Sequence, residues 1–268
     1  MRGRRYRAAA GERRCERPWG LSRALPWVLL AAGATAVAAQ PGLDVVRRSI
    51  AHHGGELYDS SAVTMTMCSG SGCYELAVES RGGVYRHRVA GPVSAGHRAV
   101  EATNDTVRHW RDGVEVEIAD ATEAQRLRDW ATARLYFAFL PYRLDDPSAM
   151  QRDLGLERWG ERELRKVKVT FRPGTSSDAQ DEFLYWFDAE TGRLEQFAYS
   201  FAGRPGGLRF RRLDNYQRVG GLLFFDQENL GVEGDGLSVD QIDPAFVTQR
   251  MRPISRIHLD HITVTPLP

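Results

Sequence analysis

Apolar positions recur first at helical and then at alternating spacing. Leu43, Val46 and Ile50 lie three to four residues apart and His52-His53-Gly54-Gly55 follows, its glycines suited to end a helix in the left-handed conformation, so a short amphipathic helix is predicted over 43–53. Strand-like runs then follow at 61–68, 73–79, 84–89, 98–103, 106–111 and 114–118. Asp112-Gly113 joins the last two, a strong two-residue hairpin signal, and this half reads as an antiparallel meander. From Thr122 to Phe139 the period changes: Ala124, Leu127, Trp130, Ala131, Leu135 and Phe139 mark a second helix, which Pro141 stops.

Strands resume at 166–171, 182–188, 194–201, 207–213, 219–226 and 254–265. The Gly- and Asp-rich stretch 231–247 reads as an irregular excursion with one helical turn. Val167, Val169 and Phe171 alternate with Lys166, Lys168 and Thr170, as in a sheet with one wet face. Two strands break that rule. In 182–188, Phe183, Tyr185 and Phe187 share one face and Leu184 and Trp186 the other; in 194–201, Phe197, Tyr199 and Phe201 oppose Leu194, Ala198 and Ser200. Strands apolar on both sides are either covered by helices or line an internal cavity, and both readings stay open. About a dozen strands and two helices make an α+β chain, mainly antiparallel β: a curved sheet or incomplete barrel with a helical lid.

The N-terminus adds a location. An Arg-rich segment runs into Leu25–Ala39, short, apolar and ending in small residues, with Ala36 and Ala38 placed as a cleavage signal. These are the three parts of a secretory signal peptide, expected over 1–39, with one domain over 40–268 exported to the periplasm or the extracellular space. The apolar run is too short for a permanent spanning helix. The first 38 residues hold eight Arg and two acidic residues, so the exported part carries 28 basic against 33 acidic residues, a charge of −5. That balance argues against a nucleic-acid partner. In an oxidising compartment Cys68 and Cys73, separated by Ser-Gly-Ser-Gly, are expected to close a hairpin as a disulfide.

Tyr136-Phe137, Leu140-Pro-Tyr-Arg-Leu-Asp-Asp-Pro147, Val167-Lys-Val-Thr-Phe171, Tyr185-Trp-Phe-Asp188, Ala198-Tyr-Ser-Phe201 and Leu208-Arg-Phe-Arg211, in this order and spacing, resemble an uncharacterised family of exported bacterial proteins defined only as a domain of unknown function. That family is similar in layout to the LolA/LolB-like lipoprotein carriers, in which a curved antiparallel half-barrel closes over helices. The resemblance implies that fold and the holding of acyl chains, and transfers no ligand-contacting residue.

Candidate chemistry is sparse. His52 and His53 at a helix end, and His258 and Asp260 on one face of the last strand with His261 on the other, read as structural. Glu233–Asp240 lacks the order of a calcium loop. Asp145 and Asp146 offer acid-base groups within a loop whose Leu and Tyr residues suit anchoring. Arg209 and Arg211 share a strand face and suit cross-strand ion pairs with Asp188, Glu195 or Asp214, or an acidic head group inside a cavity. No nucleophile elbow or phosphate loop occurs, and neither a cofactor nor a metal is expected. The leading expectation is a non-catalytic exported binding or carrier protein for an apolar ligand, an acyl chain or a lipoprotein, contacted by Tyr136, Phe137, Phe139, Phe183, Tyr185, Phe187, Phe197, Tyr199 and Phe201. The alternatives are an envelope interaction or structural protein with a fully packed core, and a hydrolase using Asp145 or Asp146. Oligomeric state is left open.

Overall fold

The computed structural model describes residues 41–70, 72–172, 181–201 and 206–268; the expected signal peptide over 1–39 lies outside the described residues. Helix α1 (Pro41–His53) leads through a 3-10 turn (Gly55–Asp59) into six strands: β1 (Ser61–Ser69), β2 (Gly72–Arg81), β3 (Val84–Val93), β4 (Gly96–Thr103), β5 (Val107–Arg111) and β6 (Val114–Val116). Helix α2 (Ala121–Ala138) follows, then β7 (Ala149–Trp159), β8 (Arg162–Phe171), β9 (Phe183–Asp188), β10 (Leu194–Phe201), β11 (Gly207–Val219) and β12 (Leu222–Glu233). A short helix α3 (Pro244–Arg250) and β13 (Arg252–Pro266) complete the chain.

All the strands join one antiparallel sheet in the order β6-β5-β4-β3-β2-β1-β13-β12-β11-β10-β9-β8-β7. The sheet is curved and unclosed. The first meander grows outward from β1 to one free edge. The second starts at the opposite edge and returns to the centre, where β13 pairs with both β1 and β12. The chain must therefore cross the sheet between β6 and β7. Helix α2, about 27 Å long at 1.5 Å per residue, makes most of that crossing. Its start is fixed by Asp120, whose carboxylate accepts from the Glu123 amide (2.8 Å), while Glu123 accepts from the Ala119 amide (2.9 Å). The Asp112-Gly113 turn between β5 and β6 is left-handed at both residues (φ 48° and 83°), as that dipeptide requires.

Three apolar clusters fill the molecule. Leu127, Ala131, Leu135 and Ala138 of α2 pack on Met65, Leu76, Val89 and Val100 of the first meander. Val46 of α1, with Leu140 and Leu144, packs on Val167, Val169, Phe183, Tyr185, Phe187, Phe197 and Phe225. The other face of the same strands presents Leu184, Trp186, Ala198, Leu208 and Phe210 to Val239, Ile242, Val247 and Met251. The doubly apolar strands are thus covered on both sides. The stretch expected to be irregular supplies the outer cover, through a 3-10 turn (Val239–Gln241) and α3, and extends the helix count beyond two. Lys166 ties that cover to the sheet by donating to the Ile242 carbonyl (3.1 Å), and Lys168 pairs with Asp240 (2.9 Å).

Two details depart from simple alternation. Leu194 joins the Phe197 side because the ladder shifts by one residue between Leu194 and Gln196, a bulge that reverses the facing. Strand β7 is not among the expected strands, because its apolar residues point the wrong way: Met150, Leu154 and Leu156 are exposed. Asp153 and Glu157 instead turn back to pair with Arg165 and Lys166 of β8.

Candidate functional site

A partly open, mainly apolar cavity lies under the C-terminal half of α2, between it, the 3-10 turn at 55–59, the loop after α2 and strands β1 to β3. It measures about 220 Å³. Its origin is the size of the side chains that face the helix. Val63 and Val78 are register partners on β1 and β2, with Ser61 and Ser80 beside them, and these short groups do not fill the distance to Thr132, Leu135 and Phe139. The rim is aromatic. Tyr58 and Tyr142 stack at 4.7 Å and 9°, joining the 3-10 turn to the loop after α2, and Tyr85 stacks on His87 at 5.3 Å and 4°. Arg128 of α2 holds Tyr85 by donating to its hydroxyl (2.8 Å) and also donates to the Thr103 carbonyl (2.6 Å). Ser80 donates to Asp59 (2.5 Å), which also accepts from the Gly82 amide (2.8 Å) and so pins the turn beneath the rim.

The walls are mainly apolar, and none of the described residues lining them is Asp or Glu. Two nitrogen-bearing side chains are present. Arg143 sits at the mouth, its guanidinium 5.5 Å from the Tyr85 ring centre and 5.9 Å from that of Tyr142. His87 is buried, and its Nε2 has no hydrogen-bond partner among the described residues. Burial lowers the His87 pKa to about 4, and the charges of Arg128 and Arg143 push the same way. Burial also raises the Tyr58 hydroxyl above its ordinary range. The space is therefore uncharged within and positive at its mouth. It can hold an apolar group, and it offers no acid-base pair.

The nine aromatics expected to contact a ligand are divided by α2. Tyr136 and Phe139 line the cavity. Phe183, Tyr185, Phe187 and Phe197 are buried and packed on one another and on Phe137, which stacks on Phe197 at 5.5 Å and on Tyr199 at 5.3 Å. Tyr199 and Phe201 are half-buried at the end of that ladder, with the Arg209 guanidinium 4.2 Å from the Phe201 ring centre. Tyr136 belongs to both groups: its ring lines the cavity, and its hydroxyl is hydrogen-bonded to that of Tyr185 (2.7 Å). Tyr58, Val63, Val78, Tyr85 and His87 carry no signal in the sequence, and Tyr142 and Arg143 stand there only within the loop expected to be anchored by burial. They sit on the 3-10 turn, on three strands and in the loop after α2, and no spacing along the chain links them.

Other candidates take structural roles. Asp146 accepts from the amide and hydroxyl of Ser148 (2.8 and 2.7 Å), closing a turn, and Asp145 is exposed. His258 bonds Asp226 (2.9 Å), which also accepts from the Leu259 amide (3.0 Å). His53 is not exposed at its helix end but buried, with its ring bonded to the Ser49 carbonyl (2.9 Å). The cross-strand pairs expected of Arg209 and Arg211 form differently. Glu195 is committed to Arg162 and Arg193, Arg209 reaches Glu233 at 3.6 Å, and Arg211 is buried with the Tyr199 hydroxyl (3.2 Å) as partner. Cys68 and Cys73, register partners on β1 and β2, are bonded. Among the described residues no helix is long and apolar enough to cross a membrane.

No curated protein matches the chain. Several solved structures are similar to it at low identity, among them the following three. A LolA superfamily protein from Nitrosomonas europaea is 12% identical over 85% of this chain and 94% of that one, with a TM-score of 0.47. A putative outer membrane lipoprotein-sorting protein domain from Vibrio parahaemolyticus is 11% identical over 84% and 92%, at 0.45. A DUF1329 family protein from Desulfovibrio piger is 9% identical over 84% and 93%, at 0.47. The model of a family of unknown function, DUF6503, matches residues 90–240, a stretch that contains every segment carrying the family resemblance in the sequence. Because that match spans more than half of the chain, the protein belongs to the DUF6503 family.

Proposed function

We propose that this protein is an exported, non-catalytic binder or carrier of an apolar ligand, with one acyl chain, free or lipoprotein-borne, inserted beneath α2. The cavity lined by Val63, Val78, Leu135 and Phe139 carries this reading. At about 30 Å³ for a water-sized group, its 220 Å³ accommodates about seven methylene-sized groups. A medium-length chain fits, or the first part of a longer one. Burying each methylene is worth about 0.8 kcal/mol, which supports useful affinity without further contacts. Export is supported by the basic, apolar and small-residue pattern of residues 1–39 and by the bonded cysteines.

The aromatic ladder of β9 and β10 enters this reading as the rigid floor on which α2 rests, with Tyr136 as the shared wall. A fluorescent medium-chain fatty-acid probe tests the proposal. It should bind residues 40–268 saturably at one site per chain, and Val78→Phe, which fills the cavity from β2, should abolish binding while the melting temperature holds. Equal binding by the wild type and Val78→Phe would place the probe elsewhere and reject the cavity as the site.

A further inference from the structure

Arg143 is the one charged residue among the described cavity-lining residues, and its surroundings do not explain it. Its backbone is left-handed (φ 71°), a conformation favoured by Gly or Asn and unfavourable for a long side chain. The turn around it is nevertheless held: the Leu144 amide donates to the Pro141 carbonyl (3.1 Å), and the Asp146 amide donates to the carbonyl of Arg143 itself (3.1 Å). Leu140 and Leu144, both buried, anchor the loop on either side. The result is a guanidinium placed between the Tyr85 and Tyr142 rings at the opening, with no ion pair or hydrogen bond of its own among the described residues.

A second observation lies one step deeper. The ring of His87 stacks on Tyr85, and its Nε2 is buried with no hydrogen-bond partner among the described residues, so this side of the wall presents no negative group to compete for Arg143. Arg128, engaged by the Tyr85 hydroxyl and the Thr103 carbonyl, adds positive charge to the same rim. A neutral chain would leave Arg143 unused. A cationic amphiphile would be repelled.

Resting on the reading of the cavity as an acyl-chain site, we infer that the occupant is a single-chain anionic amphiphile, bound tail-inward with its carboxylate or phosphate head on the Arg143 guanidinium. A planar guanidinium suits either head, because both present two oxygens to its paired N–H groups.

Isothermal titration of residues 40–268 with decanoate, decyl phosphate, decan-1-ol and decyltrimethylammonium, each below its micellar concentration, tests this. At least one anion should bind about tenfold more tightly than decan-1-ol, the ratio of a charge-assisted hydrogen bond to a neutral one, and the ammonium should bind most weakly. Which anion is tighter identifies the head group. Arg143→Asn, chosen because Asn accepts the left-handed backbone and so should fold, should remove that tenfold advantage and leave decan-1-ol unchanged. Arg143→Lys should restore part of it as a point charge. Equal affinity for anion and alcohol, or equal weakening of both by Arg143→Asn, overturns the head-group inference while leaving the chain site standing. Failure of all four to bind removes both.

Discussion

A histidine with no partner inside a wall costs far less neutral than charged, and that sets a pH dependence. His87 and His53 both have pKa values lowered from 6.5 to about 4, first by burial. Around His87 stand Arg128 and Arg143; around His53 stand His52, Arg218 and Arg193, with the Ser49 carbonyl opposing them. Below about pH 6.5 the unfolded chain takes up these protons and the folded one does not. Stability is therefore complete above pH 6.5, falls between about 6.5 and 4, and loses nothing more from these groups below 4. Each should contribute roughly 3 kcal/mol across that window. Denaturant unfolding at pH 7.5 and 4.5 checks this: His87→Gln should cut the difference by about half, and an unchanged difference would show that the ring is charged or solvated. Arg211 makes the opposite case, a buried guanidinium with the Tyr199 hydroxyl as partner and Phe137 5.5 Å away. Arg211→Met should raise stability by about 1–4 kcal/mol, since an apolar group of similar length loses no solvation there. A fall in melting temperature would mean that the charge is satisfied.

Among the elements, the β9–β10 ladder and α2 depend on each other. Phe197→Ala should cost about 3–5 kcal/mol, because the ring is wholly buried between Phe137 and Tyr185. The half-buried Tyr199 should cost less when truncated; a cost for Tyr199→Ala equal to that of Phe197→Ala would mean that the ladder is packed to its end. Reduction of the Cys68–Cys73 bond, which closes only a short loop, should lower stability by about 2 kcal/mol, read from denaturation with and without reductant. Most elements were legible because alternation and helical period are local signals. The Asp112-Gly113 hairpin, both long helices and the β9–β10 pair follow from spacing alone. What local patterning could not give is the other side of a strand. Trp186 and Leu184 look like cavity lining or core with equal justice until Val239, Ile242 and Val247 are seen to cover them. Strand β7 gives no alternation signal because its sheet-facing positions carry Asp153 on one face and, beyond the bulge at 153–155, Glu157 on the other, and the partners of both lie on β8.

For the whole molecule, two meanders meeting at β13 leave a concave face too wide for one helix to fill evenly. On the β8–β12 side, bulky aromatics rise to meet α1, α2 and the loop after it, and the space closes. On the β1–β3 side Met65 and Leu76 pack on α2, but Ser61, Val63, Val78 and Ser80 under its C-terminal half are short, and the space there stays open. The aromatic density that marked the sequence thus points to the rigid half, and the candidate site lies in the half whose side chains are small. No run of residues announces such a void, because it is produced by pairing Val63 with Val78 across strands and setting both under Leu135 and Phe139. The most direct test is isotope-filtered NMR on residues 40–268 with carbon-13-labelled decanoate. Intermolecular NOEs from the chain to the methyl groups of Val63, Val78 and Leu135 and to the ring of Phe139 are the expected result. NOEs to Phe183, Phe197 and Tyr199 instead, or none at saturating decanoate, would contradict it.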